Sequence, residues 1–178
     1  VKLEGRHMVE ISCHQAWNAL IDPGVLRRCT PGLDELYCDG PGRFKGAIEA
    51  KLPHVVGRFE GSMFVVEEDP PNHLRLRFDG ESPNGKIAGH LWLRFAEADE
   101  GTEVRYEADF TAGGLYGRIG ETALAAAARE LALQFFDAVE RRGRQAPAAA
   151  APVVVPPANA LRRAIRAFLR VLGRGPRG

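Results

Sequence analysis

From Leu33 to Thr111 apolar and polar side chains alternate with a period of two, in short runs separated by turn-forming clusters. The clusters are Gly40-Pro41-Gly42, Asp69-Pro70-Pro71-Asn72, Pro83-Asn84-Gly85 and Asp99-Glu100-Gly101. A strand turns successive side chains to opposite faces, so this pattern predicts about six antiparallel strands with one wet face and one apolar face. Leu74, Leu76 and Phe78, then Leu91, Leu93 and Phe95, then Val104, Tyr106, Ala108 and Phe110 fall on the apolar side, with Arg and Glu opposite them.

The flanking segments supply the rest of the architecture. "VKLEGRHMVEI" alternates as well, with Leu3, Gly5, His7, Val9 and Ile11 on one face, and predicts a further half-buried strand. "SCHQAWNALIDPGVLRRCTPG" reads as two short helices: Ser12 caps the first, Asp22-Pro23 ends it and starts the second, and Pro31-Gly32 turns the chain. Trp17, Leu20, Val25 and Leu26 are their apolar contacts. From about Tyr116 to Arg142, Leu124, Ala127, Ala128, Leu131, Phe135, Ala138 and Val139 recur at three- and four-residue spacing, which predicts one long amphipathic helix. The economical arrangement is an α+β domain over residues 1–142, with one sheet wrapped around that helix.

Net charge divides the chain. The formal charge is +1, yet residues 1–140 hold 15 Lys/Arg against all 23 Asp/Glu, and residues 141–178 hold nine arginines and no acid. The basic part consists of a Pro/Ala-rich linker, 143–158, and a segment, 159–178, that reads as an amphipathic helix capped by Asn159. Leu161, Ile165, Phe168, Leu169 and Leu172 form its apolar face, and Arg162, Arg163, Arg166, Arg170 and Arg174 fall mainly opposite. Residues 160–172 as a helix would extend about 20 Å, short of the roughly 30 Å hydrocarbon core. The segment is therefore expected to lie on an anionic membrane surface, with an acidic groove on a partner protein as the alternative; a broad apolar face argues against nucleic acid. Cys13, Cys29 and Cys38 lack metal-site spacing and no secretory segment is evident, so a cytoplasmic protein peripherally attached to the inner face of the membrane is expected.

Catalytic motifs are lacking. The five histidines show no metal-ligand spacing, and no nucleophile elbow, P-loop or dinucleotide fingerprint is present, so no catalytic residue and no metal are assigned. Cys29 reads as a packed thiol. On the inner face only His7 and Tyr106 are polar, too few for general acid–base work, which favours binding over chemistry.

Six stretches stand out in order along residues 1–142: "KLEG" (2–5), "AWNALIDPGVLRRCTPG" (16–32), "RFEG" (58–61), "DPP" (69–71), "GG" (113–114) and "QFF" (134–136). In these the chain resembles the carbon monoxide dehydrogenase CoxG family of START-like, helix-grip domains. The resemblance implies an accessory protein of a molybdenum hydroxylase, linked to membrane recruitment of that enzyme, with no required cofactor and with a quinone, menaquinone or ubiquinone, as cargo. Leu33 stands where the family has a second cysteine, and "GGLYGRIG" lacks the lysine that follows its glycine pair, so neither side chain's role transfers. The expected ligand cavity is lined by His7, Trp17 and Leu26 from the N-terminal part, and by Leu76, Leu91, Leu93, Tyr106 and Phe110 from the sheet. Leu124, Ala128, Leu131 and Phe135 line it from the helix. Gly5, Gly46, Gly61 and Gly89 on the inner face, with "ALAAAA" at 123–128, either leave room for the ligand or curl the sheet. A cyclase or hydratase, and a recruitment adaptor whose interior is only a core, remain the alternatives.

Overall fold

In a computed structural model of the chain, which describes residues 1–145, the alternating region forms six strands and the N-terminal segment a seventh. They are β1 (Lys2–Val9), β2 (Leu33–Cys38), β3 (Arg43–Leu52), β4 (Val55–Asp69), β5 (His73–Ser82), β6 (Gly85–Ala98) and β7 (Gly101–Ala112). The sheet is antiparallel throughout in the order β1-β7-β6-β5-β4-β3-β2: β2 to β7 form a meander, and β1 closes on β7. The β3–β4 connection is a tight turn at Pro53-His54 that sequence analysis did not single out; His54 adopts φ 65° there.

Two helices cross from β1 to β2, and their ends are built from local side chains. In α1 (Cys13–Ala19) the Ser12 hydroxyl accepts from Gln15 N–H at 3.2 Å while the Gln15 side chain accepts from Ser12 N–H at 3.0 Å, a reciprocal capping box. In α2 (Pro23–Cys29) Asp22 accepts from Val25 N–H at 3.0 Å, and Pro23 sits at a first-turn position that needs no N–H. The long helix differs from expectation at both ends. Tyr116–Arg118 form a separate 3₁₀ turn, and Gly120, at φ 94°, breaks the chain before α3, which runs Glu121–Gln145 and so passes Arg142.

The inner face of the sheet and α3 share one apolar core. Leu74, Leu76, Leu93 and Val104 are almost fully buried, and Leu124, Ala125, Ala127, Phe135, Phe136 and Val139 meet them from the helix. The four expected glycines lie on the inner face, and bending is what they provide. Gly46 pairs with Gly61, and Gly61 with Gly80, so three glycines stand side by side across β3, β4 and β5. A Cβ at Gly46 would fall on the Glu35 carbonyl and one at Gly61 on the Asp79 carbonyl, while the Tyr106 ring covers Gly5 and Phe110 covers Gly89. Neighbouring atoms therefore occupy the space that absent side chains leave.

One buried hydrogen bond ties the crossover to the sheet. Thr102, with no exposed surface, donates from Oγ1 to the Ile11 carbonyl at 2.7 Å. Thr102→Val keeps the volume and removes the donor, so it should lower unfolding stability by about 1–3 kcal/mol. Urea denaturation of both proteins, with an unchanged m-value, checks this.

Candidate ligand site at the seam of sheet and helix

The α2–β2 turn builds one wall of a cleft. Gly32 has φ 75°, its missing side chain would collide with the Glu49 carbonyl, and its own carbonyl accepts from Glu49 N–H at 2.8 Å. This Pro31-Gly32 turn is thereby stitched to β3, and only glycine fits the approach. Next to it Arg58 of β4 grips Asp34 and Glu35 of β2 at 2.8 and 2.9 Å, holding the edge strand in place. Between this corner and α3 lies a cleft of about 340 Å³. Ile48, Ala50 and Leu52 line it from β3, Leu131 and Gln134 from α3. Ala50 belongs to the buried core, so the cleft floor is continuous with the interior. Its polar groups are the Asp34, Glu49 and Lys51 rim and Gln134, whose amide donates to Glu130 at 2.7 Å. A second, shallow hollow of about 570 Å³ lies at the β5–β6 turn, beside Ser82, Lys86 and Arg118.

The residues named from sequence distribute unevenly over this geometry. Trp17, Leu26, Leu76, Leu93, Tyr106, Phe110, Leu124 and Phe135 are buried members of the core, and Leu91 and Ala128 pack half-buried against it. Leu131 is the one of the twelve that lines the 340 Å³ cleft. His7 does face inward from β1, and its neighbours there are aromatic and acidic. It stacks on Phe136 at 5.4 Å and lies 3.6 Å from an Asp137 carboxylate oxygen. Phe136 also packs on Tyr106 and, edge-on, on Phe135, which makes an aromatic seam between β1, β7 and α3. Ile48, Ala50, Leu52 and Gln134 line the cleft and were not named from sequence, nor was Phe136 of the aromatic seam. The available signal was the three-residue step from Leu131 to Gln134, which sets both on one helix face and ends on the first residue of the quoted stretch 134–136. The ten residues between Leu161 and Arg174 that were expected to dock on a membrane lie outside the described residues.

Cys29 behaves as a packed thiol in the structure. It is 1% exposed, and burial pushes its thiol up from 9.0 against the opposing pull of Arg142, Arg28 and Arg141. A folded-state pKa above the unfolded one favours the native state below about pH 9, and that contribution is lost as pH rises through the folded value.

Curled antiparallel sheet, crossover helices and, among the described residues, one long helix after the sheet define the class: this is an α+β protein of the helix-grip, START-like fold. Solved structures agree on it. A conserved protein from Geobacillus kaustophilus superposes with TM-score 0.77 at 23% identity over 82% of this chain and 96% of its own. A protein from Rhodobacter sphaeroides gives TM-score 0.61 at 16% identity, covering 82% and 93%. One from Rhizobium leguminosarum gives 0.64 at 12% identity, covering 82% and 95%. No curated protein matches the chain. The family model for the carbon monoxide dehydrogenase CoxG subunit matches residues 5–142, and the chain belongs to that family.

Native-state thiol labelling with an aromatic disulfide reagent at pH 8 should modify Cys38, which is exposed, and spare buried Cys13 and Cys29 until the protein unfolds. Peptide mass spectrometry after timed quenching reads the order.

Proposed function

We propose that this chain is a non-catalytic accessory protein of a molybdenum hydroxylase of the carbon monoxide dehydrogenase type. It carries an apolar ligand, a quinone of the menaquinone or ubiquinone kind, and brings enzyme and electron acceptor together at the inner face of the membrane. The observation that supports this most directly is the cleft between Ile48, Ala50, Leu52 and Leu131, whose floor is the apolar core. At about 340 Å³ it is at the small end of ligand pockets, which run from about 300 to 1,000 Å³. That size suits a quinone ring. A long polyprenyl chain needs more, and α3 has to move off β3 to admit it.

Binding is favoured over chemistry by how two interior hydroxyls are engaged. The Tyr116 hydroxyl donates to the Val56 carbonyl at 3.1 Å and accepts from Ser82, and Thr102 is held by Ile11. These groups hold backbone in place. No described helix is long and apolar enough to cross a membrane, so attachment in this reading is peripheral and falls to the Arg-rich segment.

Two measurements test the two halves of the proposal. Menaquinone or ubiquinone should appear in native mass spectra of the protein purified from cells, and Leu131→Arg, placing a charge in the cleft, should weaken quinone binding at least tenfold on titration. Absence of any apolar molecule, together with no binding of added quinone, leaves the adaptor alternative. The triple variant R162E/R163E/R166E should no longer float with anionic liposomes, whereas the parent floats; equal flotation removes the membrane half.

A further inference from the structure

Away from the cleft the fold assembles a set of metal-ligating side chains that lie far apart in sequence. His7 projects from the inner face of β1 toward α3, and Asp137 and Glu140, three residues apart, share one face of that helix. One donor atom from each residue lies within 4.8 Å of the other two.

One spacing within this set matches the edge of a coordination shell. His7 Nε2 and Asp137 Oδ1 are 3.6 Å apart, too long for a hydrogen bond. Two ligands on a tetrahedral cation with bonds of about 2.0–2.1 Å are separated by roughly 3.4 Å, so the pair is spaced as an edge of such a shell. The donors are also oriented from behind. The imidazole plane is fixed by its stack on Phe136, with an interplanar angle of 18°, and Glu140 Oε1 accepts from Glu10 N–H at 3.4 Å. Outer contacts of this type set ligand direction in metal sites. With the His7 side chain 15% exposed and that of Asp137 61% exposed, the inner side of the site is apolar and the outer side is open to water.

We propose that His7, Asp137 and Glu140 bind one divalent transition-metal ion of the zinc type, with water completing the coordination. One imidazole and two carboxylates suit zinc or manganese better than magnesium or calcium, which prefer all-oxygen shells. The ion pins β1 to the last turns of α3 and so cross-links the two ends of the domain at the seam where the sheet closes on the helix. Histidine spacing in the sequence predicts no such site, because two of the three ligands are acids and stand on another element.

Isothermal titration of the chelator-treated full-length chain with zinc chloride tests the site. One equivalent of zinc should bind, and H7Q and D137N should each weaken binding at least tenfold. H73Q and C38S, which remove the competing donors beside Glu67 and Asp69 and at the exposed thiol, should leave it unchanged. Circular dichroism in chelator verifies the fold of each variant, and D137N, at an exposed helix position, keeps the test decisive should H7Q lower stability. Failure of the parent to bind zinc, binding that survives both H7Q and D137N, or binding lost in H73Q or C38S overturns the proposal.

Discussion

A flat sheet of seven strands spaced at about 4.8 Å is about 30 Å wide, and a helix with its side chains is only about 10–12 Å across. One helix cannot cover such a surface, so the apolar face must bend around it or stay wet. The row Gly46, Gly61 and Gly80 answers that constraint across three adjacent strands: Gly46 and Gly61 admit the Glu35 and Asp79 carbonyls where side chains would stand, and Gly80 leaves room for the Phe59 side chain. Curling narrows the groove until Leu124, Phe135, Phe136 and Val139 fill it. The remaining gaps are closed by α1 and α2 at one end and by the Tyr116 turn at the other, where Tyr116 packs on Phe59 at 5.1 Å.

The same geometry decides where the interior has an opening. On the β1 side the helix is locked by the His7–Phe136–Tyr106 seam, whereas on the β3 side Leu131 and Gln134 face Ile48, Ala50 and Leu52 across a cleft. The grip is therefore tight along one flank and open along the other. Closure of the open flank depends on the Gly32 turn and on Arg58 at the β2 edge, since these position the wall opposite α3.

Strand phase was legible because period two carries its own face assignment, and every inward residue named on β5, β6 and β7 faces the core or its margin. Caps were legible at Ser12 and Asp22 because their chemistry is local. What could not be read was non-local. Whether an inward glycine empties a space or admits a neighbour's backbone depends on strands that pair with it, as Gly61 shows with Asp79. A ligand set drawn from β1 and α3 has no spacing to recognise, and the Tyr116 turn differs from the first turn of α3 only through the φ of Gly120. Phe136 escaped notice because Phe135 already occupied the helical stripe; the two share the core by packing edge to face.

β1 pairs with β7 from Lys2 opposite Asp109 to Val9 opposite Thr102, so the strand that completes the sheet meets a partner about a hundred residues further along. Ribosomes add about 5–20 residues per second, so on the order of ten seconds separates the emergence of β1 from that of β7. During that interval Leu3, Val9 and their unpaired backbone have no native cover. Lys2, Glu4 and Arg6 on the opposite face place charge at every second position, which discourages pairing with another nascent copy. Those outward charges, exposed in the finished fold, give the strand the gatekeeper pattern that resists edge-to-edge pairing before its partner exists.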